Sequence, residues 1–358
     1  MFVAWRDLRF AKGRFALMGT VIVLITLLVG LLSGLTAGLG RQNVSAITDL
    51  PASHIVFGAA GDGQGPSYSN STVTEAQWQQ WARTPGVRSA EPLGITLTRA
   101  VAGARSIGVS AFGVHPASAL APAGAALDDR TAVLSAAAAD DLGVTAGDTV
   151  TLAGRPLVVS AVRGDASFSH APVVWISLNT WQQAARTDGP TATVIALDTT
   201  SAADLGAADQ AAGTRTVSKG DSLSAIGSYR SENGSLQLMR GFLFAISALV
   251  IGAFFTVWTI QRSGDIAVLK ALGASTAGLL KDALGQAVVL LAGGTLIGTG
   301  LAAVLGAVVA GSAVPFVLTP AVVALPAAVM VVLGVAGAAL SVRRITSVDP
   351  LTALGSAR

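Results

Sequence analysis

Between Asp282 and Arg343 the chain carries no charged side chain for 60 residues. A helix needs roughly 20 apolar residues to cross the hydrocarbon core of a bilayer, so this stretch holds two spans and a turn. Pro315, Thr319 and Pro320 supply the break, because proline cannot donate a backbone hydrogen bond inside a helix. Two more runs lack Asp, Glu, Lys and Arg: Phe15 to Gly40, and Gly241 to Ile260. Charged residues make up 12% of the chain, about half the usual share of roughly 25% in soluble domains. The expected fold class is therefore membrane α-helical, with four transmembrane helices and a large outer domain between the first and second.

The segments are drawn as follows: a cytoplasmic amphipathic start at 1–14, spans at 15–40, 237–260, 283–311 and 321–342, and an outer domain at 41–236. A cytoplasmic loop at 261–282, an outer hairpin at 312–320 and a tail at 343–358 complete the chain. Pro326 marks a kink point in the fourth span. The first run is longer than the roughly 7–15 residues of a signal-peptide core and no A-x-A site closes it, so it reads as an uncleaved anchor.

Arg6, Arg9, Lys12 and Arg14 flank the first span; Arg262, Lys270 and Lys281 lie in the 261–282 loop, and Arg343, Arg344 and Arg358 in the tail. The hairpin between spans three and four has no charge. The positive-inside rule puts both termini and the 261–282 loop in the cytoplasm of a multi-pass plasma-membrane protein, and the outer domain outside.

The outer domain reads as α/β. Strand alternation occurs at 105–114, 149–152 and 157–162, with a hairpin turn at Ala153-Gly-Arg-Pro156. A capping-box spacing at Thr72-Val-Thr-Glu75 predicts a helix through Trp78 and Trp81, stopped by Pro85-Gly86. A short helix is expected at 135–147, and 59–72 reads as a mobile loop.

The chain has no cysteine, which removes disulfides and thiolate metal sites. His54, His115 and His170 are scattered without metal-ligand spacing, and each reads as a surface or loop residue. No Ser-His-Asp arrangement or carboxylate pair stands out, so no catalytic residue and no metal site is assigned. A basic stripe with interleaved aromatics is also missing, which argues against nucleic acid. No lysine sits in a phosphate-binding loop of the form Gly-x4-Gly-Lys-[Ser/Thr].

Three stretches carry candidate roles. In Gln261 to Ser275, Asp265, Ile266, Leu269, Lys270 and Leu272 form a short amphipathic segment too polar to span, with Gly273 suited to a left-handed cap. Gly30, Gly34 and Gly38, spaced by four, make a small-residue face that lets helices approach closely, and Gly294 and Gly298 repeat the spacing. Just outside the second span, Tyr229, Glu232, Met239 and Arg240 offer a phenol, a carboxylate, a thioether and a cation, suited to an amphiphile or a metal porphyrin. The plainer reading of this last set is a solvated helix entrance with Arg240 reaching for headgroups.

The segment RSGDIAVLKALGAS, with Gln286 and the glycine-rich third span, resembles the cytoplasmic signature of the FtsX-like permeases in the MacB-type ABC transporter superfamily. The tail from Val348-Asp-Pro to Ala353-Leu354, the start Ala4-Trp-Arg-Asp-Leu-Arg9, and Pro85-Gly-Val87, Phe112-Gly-Val-His-Pro116 and Leu142 to Asp148 in the outer domain are similar to that family as well. Asp265 stands where the family usually has glutamate. The resemblance implies a non-catalytic subunit that works as a homodimer with two cytoplasmic ATPase subunits, in a 2:2 complex within the lipid bilayer. ATP-Mg would then be bound and hydrolysed on the partner, and the 261–282 segment would be a coupling helix. The chain's size further resembles the haem-efflux permeases of Gram-positive bacteria (HrtB type), and its Ala and Gly content suits an actinobacterial source. That resemblance implies haem as substrate and no intrinsic cofactor. Two alternatives stay open: a mechanical transmitter that activates a cell-wall hydrolase, and an exporter of another amphiphile such as a lipoprotein, peptide or antibiotic.

Overall fold

A computed structural model of the chain describes residues 12–59, 65–186, 189–261, 264, 268, 273, 275–309 and 314–346. The chain divides into two compact units, one of residues 39–234 and one formed by residues up to 38 together with those from 235 onward.

Among the described residues four helices are long and apolar enough to cross a membrane, the greater part of each in the second of these units: α1 (Lys12–Thr48), α6 (Gly227–Gln261), α7 (Thr276–Val309) and α8 (Pro320–Thr346). Helix α8 runs unbroken through Pro326. Its start follows from local chemistry. Thr319 Oγ1 accepts from Val322 N at 3.3 Å as an N-cap, and Pro320 takes the first helical position, where its missing N–H is no loss. Phe15, Met18, Ile22 and Val29 of α1 are buried in a cluster with Ile251, Phe255 and Trp258 of α6, Leu291 of α7 and Met330 of α8. Leu249, Leu296 and Val308 are 73%, 73% and 76% exposed. An exposed apolar surface of that extent is stable only against hydrocarbon or another protein. The buried hydroxyl of Ser247 and the half-buried ones of Thr36 and Thr256 donate to carbonyls one turn back, the answer available to a polar group without water.

The 39–234 unit is built on strands β1 (His54–Gly58), β2 (Val73–Thr74), β3 (Val87–Ala102), β4 (Arg105–Val114), β5 (Thr131–Leu134), β6 (Thr149–Leu152), β7 (Arg155–Val162), β8 (Ser167–Phe168), β9 (Ala171–Ser177), β10 (Thr191–Ala192), β11 (Val194–Thr199) and β12 (Thr214–Ser218). Short helices α2 (Glu75–Ala82), α3 (Ala136–Leu142), α4 (Leu178–Ala185) and α5 (Leu205–Ala212) connect them. The main sheet runs β12-β1-β11-β3-β4-β9-β5-β7-β6, and β6 returns to pair with β3, so this end of the sheet curls into a ring. Pairs β4–β9 and β5–β7 are parallel and the rest antiparallel. Both faces are covered. Val56 joins the cluster with Trp78, Trp81, Leu142 and Trp181, while its neighbours Ile55 and Phe57 join Ile47, Tyr68, Phe112 and Phe168 on the other side, as the period of two demands. Gly94 and Gly113, paired across β3 and β4, leave room for the Trp181 indole, where any Cβ would strike it.

Three local expectations shift. The helix expected from Thr72 is capped by Thr74, with Gln77 closing the capping box, because Val73 and Thr74 stay extended to pair with Ala192 and Thr191. The β6–β7 turn is Ala153-Gly154 alone, with φ of 49° and 83°, and Arg155 already pairs with Leu152. In the segment read as a loop, Tyr68 is anchored in the core, edge-on to Phe57 and Phe168, and its hydroxyl donates to Ser222 Oγ at 3.0 Å.

Burial pushes the Tyr68 phenol well above the ordinary tyrosine range, against a smaller opposing pull from the Ser222 hydrogen bond. The folded state thus holds this proton more tightly than the unfolded chain. Its contribution to stability is complete below the unfolded value of about 10 and declines as pH rises from there toward the folded value. Melting of the solubilised chain between about pH 8 and 11 is expected to show a steeper alkaline fall for wild type than for Tyr68→Phe. Parallel curves would contradict it.

Candidate functional site

Helix α1 continues to Thr48, and α6 begins at Gly227, so the 39–234 unit contains the last turns of one membrane helix and the first turns of another. Between them sits the β8–β9 hairpin. Its register, Phe168 opposite Ala171, leaves only Ser169 and His170 to make the turn. A two-residue hairpin of this kind needs positive φ at both positions, which is why Asn-Gly is the usual choice. Here φ is 51° at Ser169 and 63° at His170. For residues with a Cβ the left-handed conformation costs about 1–2 kcal/mol each.

The surrounding contacts offset that cost. Ser169 N donates to Asn43 O at 2.9 Å, and His170 N to Gln42 O at 3.2 Å. Ser45 Oγ accepts from Ser167 N at 2.8 Å. Ser169 Oγ meets Ser228 Oγ at 2.9 Å, and Ser228 Oγ donates to Asn43 Oδ1 at 2.7 Å. That last bond turns the Asn43 amide nitrogen toward Glu232 Oε2, 3.3 Å away. His170 Nε2 lies 2.9 Å from both carboxylate oxygens of Glu232 and 3.1 Å from Asn43 Nδ2. Asn43 is buried, while the Glu232 side chain remains 42% exposed. The result is an oriented carboxylate with an open side.

Ser228 and Glu232 are four residues apart on α6 and so share a helix face. The partner His170 lies 62 residues away, and no local signal joins them. His170 is the exposed turn residue the sequence led one to expect, but its pairing with Glu232 was not legible; the only clue in the sequence is a non-glycine pair, Ser-His, between two short apolar strands.

The other residues singled out fall as follows. Tyr229 is half-buried against the cluster around Phe57, Phe112 and Phe168. Met239 and Arg240 lie seven and eight residues beyond Glu232 on α6, in the membrane unit; Met239 is 48% exposed and Arg240 is half-buried, with its Nε among the described atoms that lack a partner. In the membrane unit Gly30 faces Ala302, Gly34 faces the Phe316 ring and Gly38 the Pro315 carbonyl; Gly294 and Gly298 face Ile22 and Thr26. Asp265, Ile266, Leu269, Lys270 and Leu272 lie outside the described residues, and the same holds for the segment's status as a helix. Gly273 has a φ of 91°, in the left-handed region. Among the described residues no group of three or more His, Asp or Glu side chains is placed to hold a metal ion.

Residues 15–215 match the family described as the MacB-like periplasmic core domain, and residues 238–350 match the FtsX-like permease C-terminal family. Over 369 residues the chain is 26% identical to a protein of Staphylococcus haemolyticus that carries the name hemin transport system permease protein HrtB, with 99% of each chain covered. It is 28% identical over 373 residues to an uncharacterized ABC transporter permease of Mycobacterium tuberculosis, again with 99% of each covered. The periplasmic region of MacB from Actinobacillus actinomycetemcomitans superposes with a TM-score of 0.37 at 14% identity, covering 51% of this chain and 94% of that one.

Proposed function

We propose, for a chain that belongs to the MacB-type, FtsX-like family of ABC transporter permeases, that it is the membrane half of an exporter whose substrate is haem. A permease of this family is a non-catalytic, multi-pass subunit of the plasma membrane, and ATP is hydrolysed on a separate ATPase subunit. Two of these permeases pair with two ATPase subunits, with both termini and the 261–282 loop in the cytoplasm, as the distribution of Lys and Arg favours. Closure of the ATPases around ATP is passed to the membrane helices through Asp265, Ile266, Leu269, Lys270 and Leu272.

The observation that carries the haem reading is the Glu232 carboxylate, oriented by Asn43 and His170 yet open on one side, at the start of a membrane helix. A hard, anionic oxygen suits ferric iron, and the amphiphilic macrocycle reaches it from the bilayer. Tyr229 stands near it in the same unit, and Met239 and Arg240 of the membrane unit are candidates in their own right, Arg240 as a cation suited to a propionate. Relatives named for hemin transport match over 99% of their length at 26% and 24% identity, which supports the same substrate.

The test is a visible-absorption titration of the purified chain with haemin, wild type against Glu232→Ala. Saturable binding with a shifted Soret band, weakened roughly tenfold or more by the substitution, is the expected result. Absence of saturable binding by wild type, with the ATPase partner present, would remove haem and return the transmitter and other-amphiphile readings. Export rather than import is checked in cells making both subunits, where haemin accumulation should fall.

A further inference from the structure

A carboxylate that meets iron works best when its oxygens are already aimed, and the groups that aim it matter nearly as much as the ligand. Two donors from distant parts of the chain converge on Glu232: His170 Nε2, 2.9 Å from both oxygens, and Asn43 Nδ2, 3.3 Å from Oε2. Asn43 is 1% exposed and held by Ser228 Oγ, so its amide has little freedom. His170 occupies a left-handed turn position, φ 63°, that glycine would fill with less strain. A side chain kept at such a position is a pointer to function.

We propose that His170, acting alongside Asn43 on the same carboxylate, is a positioning residue that presents Glu232 to the substrate iron without touching the iron itself. This rests on the reading of Glu232 as the group that meets haem. A carboxylate only accepts, so pairing with Glu232 takes the tautomer with the proton on Nε2, which leaves that nitrogen no lone pair for a metal or for the Asn43 amide. The hydrogen bond fixes the orientation of the carboxylate and leaves its open side for the substrate.

The experiment is a haemin titration of the full-length, detergent-solubilised protein as wild type, His170→Gly, His170→Gln and Glu232→Ala, each paired with a thermal melt. Glycine keeps the turn and removes only the imidazole, so His170→Gly should melt no lower than wild type. It should bind haemin about tenfold more weakly, with the Soret maximum of the bound form unmoved. His170→Gln, which restores a side-chain N–H donor, should recover most of the affinity. Wild-type affinity in His170→Gly alongside weakened Glu232→Ala would overturn the positioning role and leave the Glu232 reading standing. A displaced Soret maximum in His170→Gly that Gln does not restore would make His170 an iron ligand and overturn the proposal. Unaltered binding by Glu232→Ala would instead overturn the reading on which it rests.

Discussion

Leu269→Asp, and separately Leu272→Asp, are expected to give a permease that inserts, melts and binds haemin like wild type but no longer couples to its ATPase. The two leucines stand three apart, with Ile266 three before Leu269, so on a helix they form one apolar face. The same stretch holds Asp265 and Lys270 and is too polar to span a bilayer. On the proposed coupling role, the segment would dock as an amphipathic helix does, by laying its apolar anchors in a groove of the partner. Aspartate there places an unpaired charge in a surface that has lost its water. Central anchors contribute about 2 kcal/mol or more, so the loss should be roughly 30-fold in ATPase stimulation and in haemin efflux from proteoliposomes holding both subunits. Asp265→Asn and Lys270→Gln serve as comparison, since exposed ion pairs contribute only about 0–1 kcal/mol. Efflux at the wild-type rate in both leucine variants would end the coupling assignment.

The spans were legible because they rest on a long, additive signal. A charge-free stretch of 60 residues admits few folds, and the proline-threonine-proline break fell where Thr319 caps α8. Strand β6 was legible at Thr149–Leu152 because its residues alternate between outward and inward, and β4 matched its expected bounds at Arg105–Val114 although Val109 to Val114 are all buried. Strand β1 shows no such contrast. Ile55, Val56 and Phe57 are all buried, and a sheet covered on both faces erases the polar half of the pattern. The helix start slipped from Thr72 to Thr74 because a pairing partner more than a hundred residues away, Ala192, holds Val73 extended. The candidate site failed to show for the same reason. Glu232 could be noticed as one of three glutamates, but its neighbours Asn43 and His170 are brought to it only by the topology, from 189 and 62 residues off. Local chemistry was readable; contacts between distant segments were not.

Gly34→Leu is expected to destabilise the membrane unit by about 3 kcal/mol, at the upper end of what overpacking does. Pro315, Phe316 and Val317 are packed against α1. Val317 N donates to Gly34 O at 3.1 Å, and the Phe316 ring lies where side chains at Gly34 and at Gly306 of α7 would otherwise stand. A glycine on α1 and a glycine on α7 thus make a slot for one phenyl ring. Four residues along α1, a Cβ on Gly38 would meet the Pro315 carbonyl, which is backbone and cannot rotate away. Gly30 continues the ridge, with a Cβ there 2.8 Å from that of Ala302. The three glycines in register therefore seat the hairpin and α7 on one side of α1. Leucine at 34 must eject Phe316, and with it the hydrogen bond of Val317. The control is Gly40→Ala on the same helix, where a Cβ meets nothing within 4 Å. That change should be neutral or stabilise by up to about 1 kcal/mol through helix propensity. Thermal melts of the solubilised protein decide the matter: Gly34→Leu should melt well below wild type, Gly38→Ala also below it, and Gly40→Ala at or above it. If Gly34→Leu and Gly40→Ala melt together, the ridge of small residues holds nothing in place, and the spacing of four is a matter of composition alone.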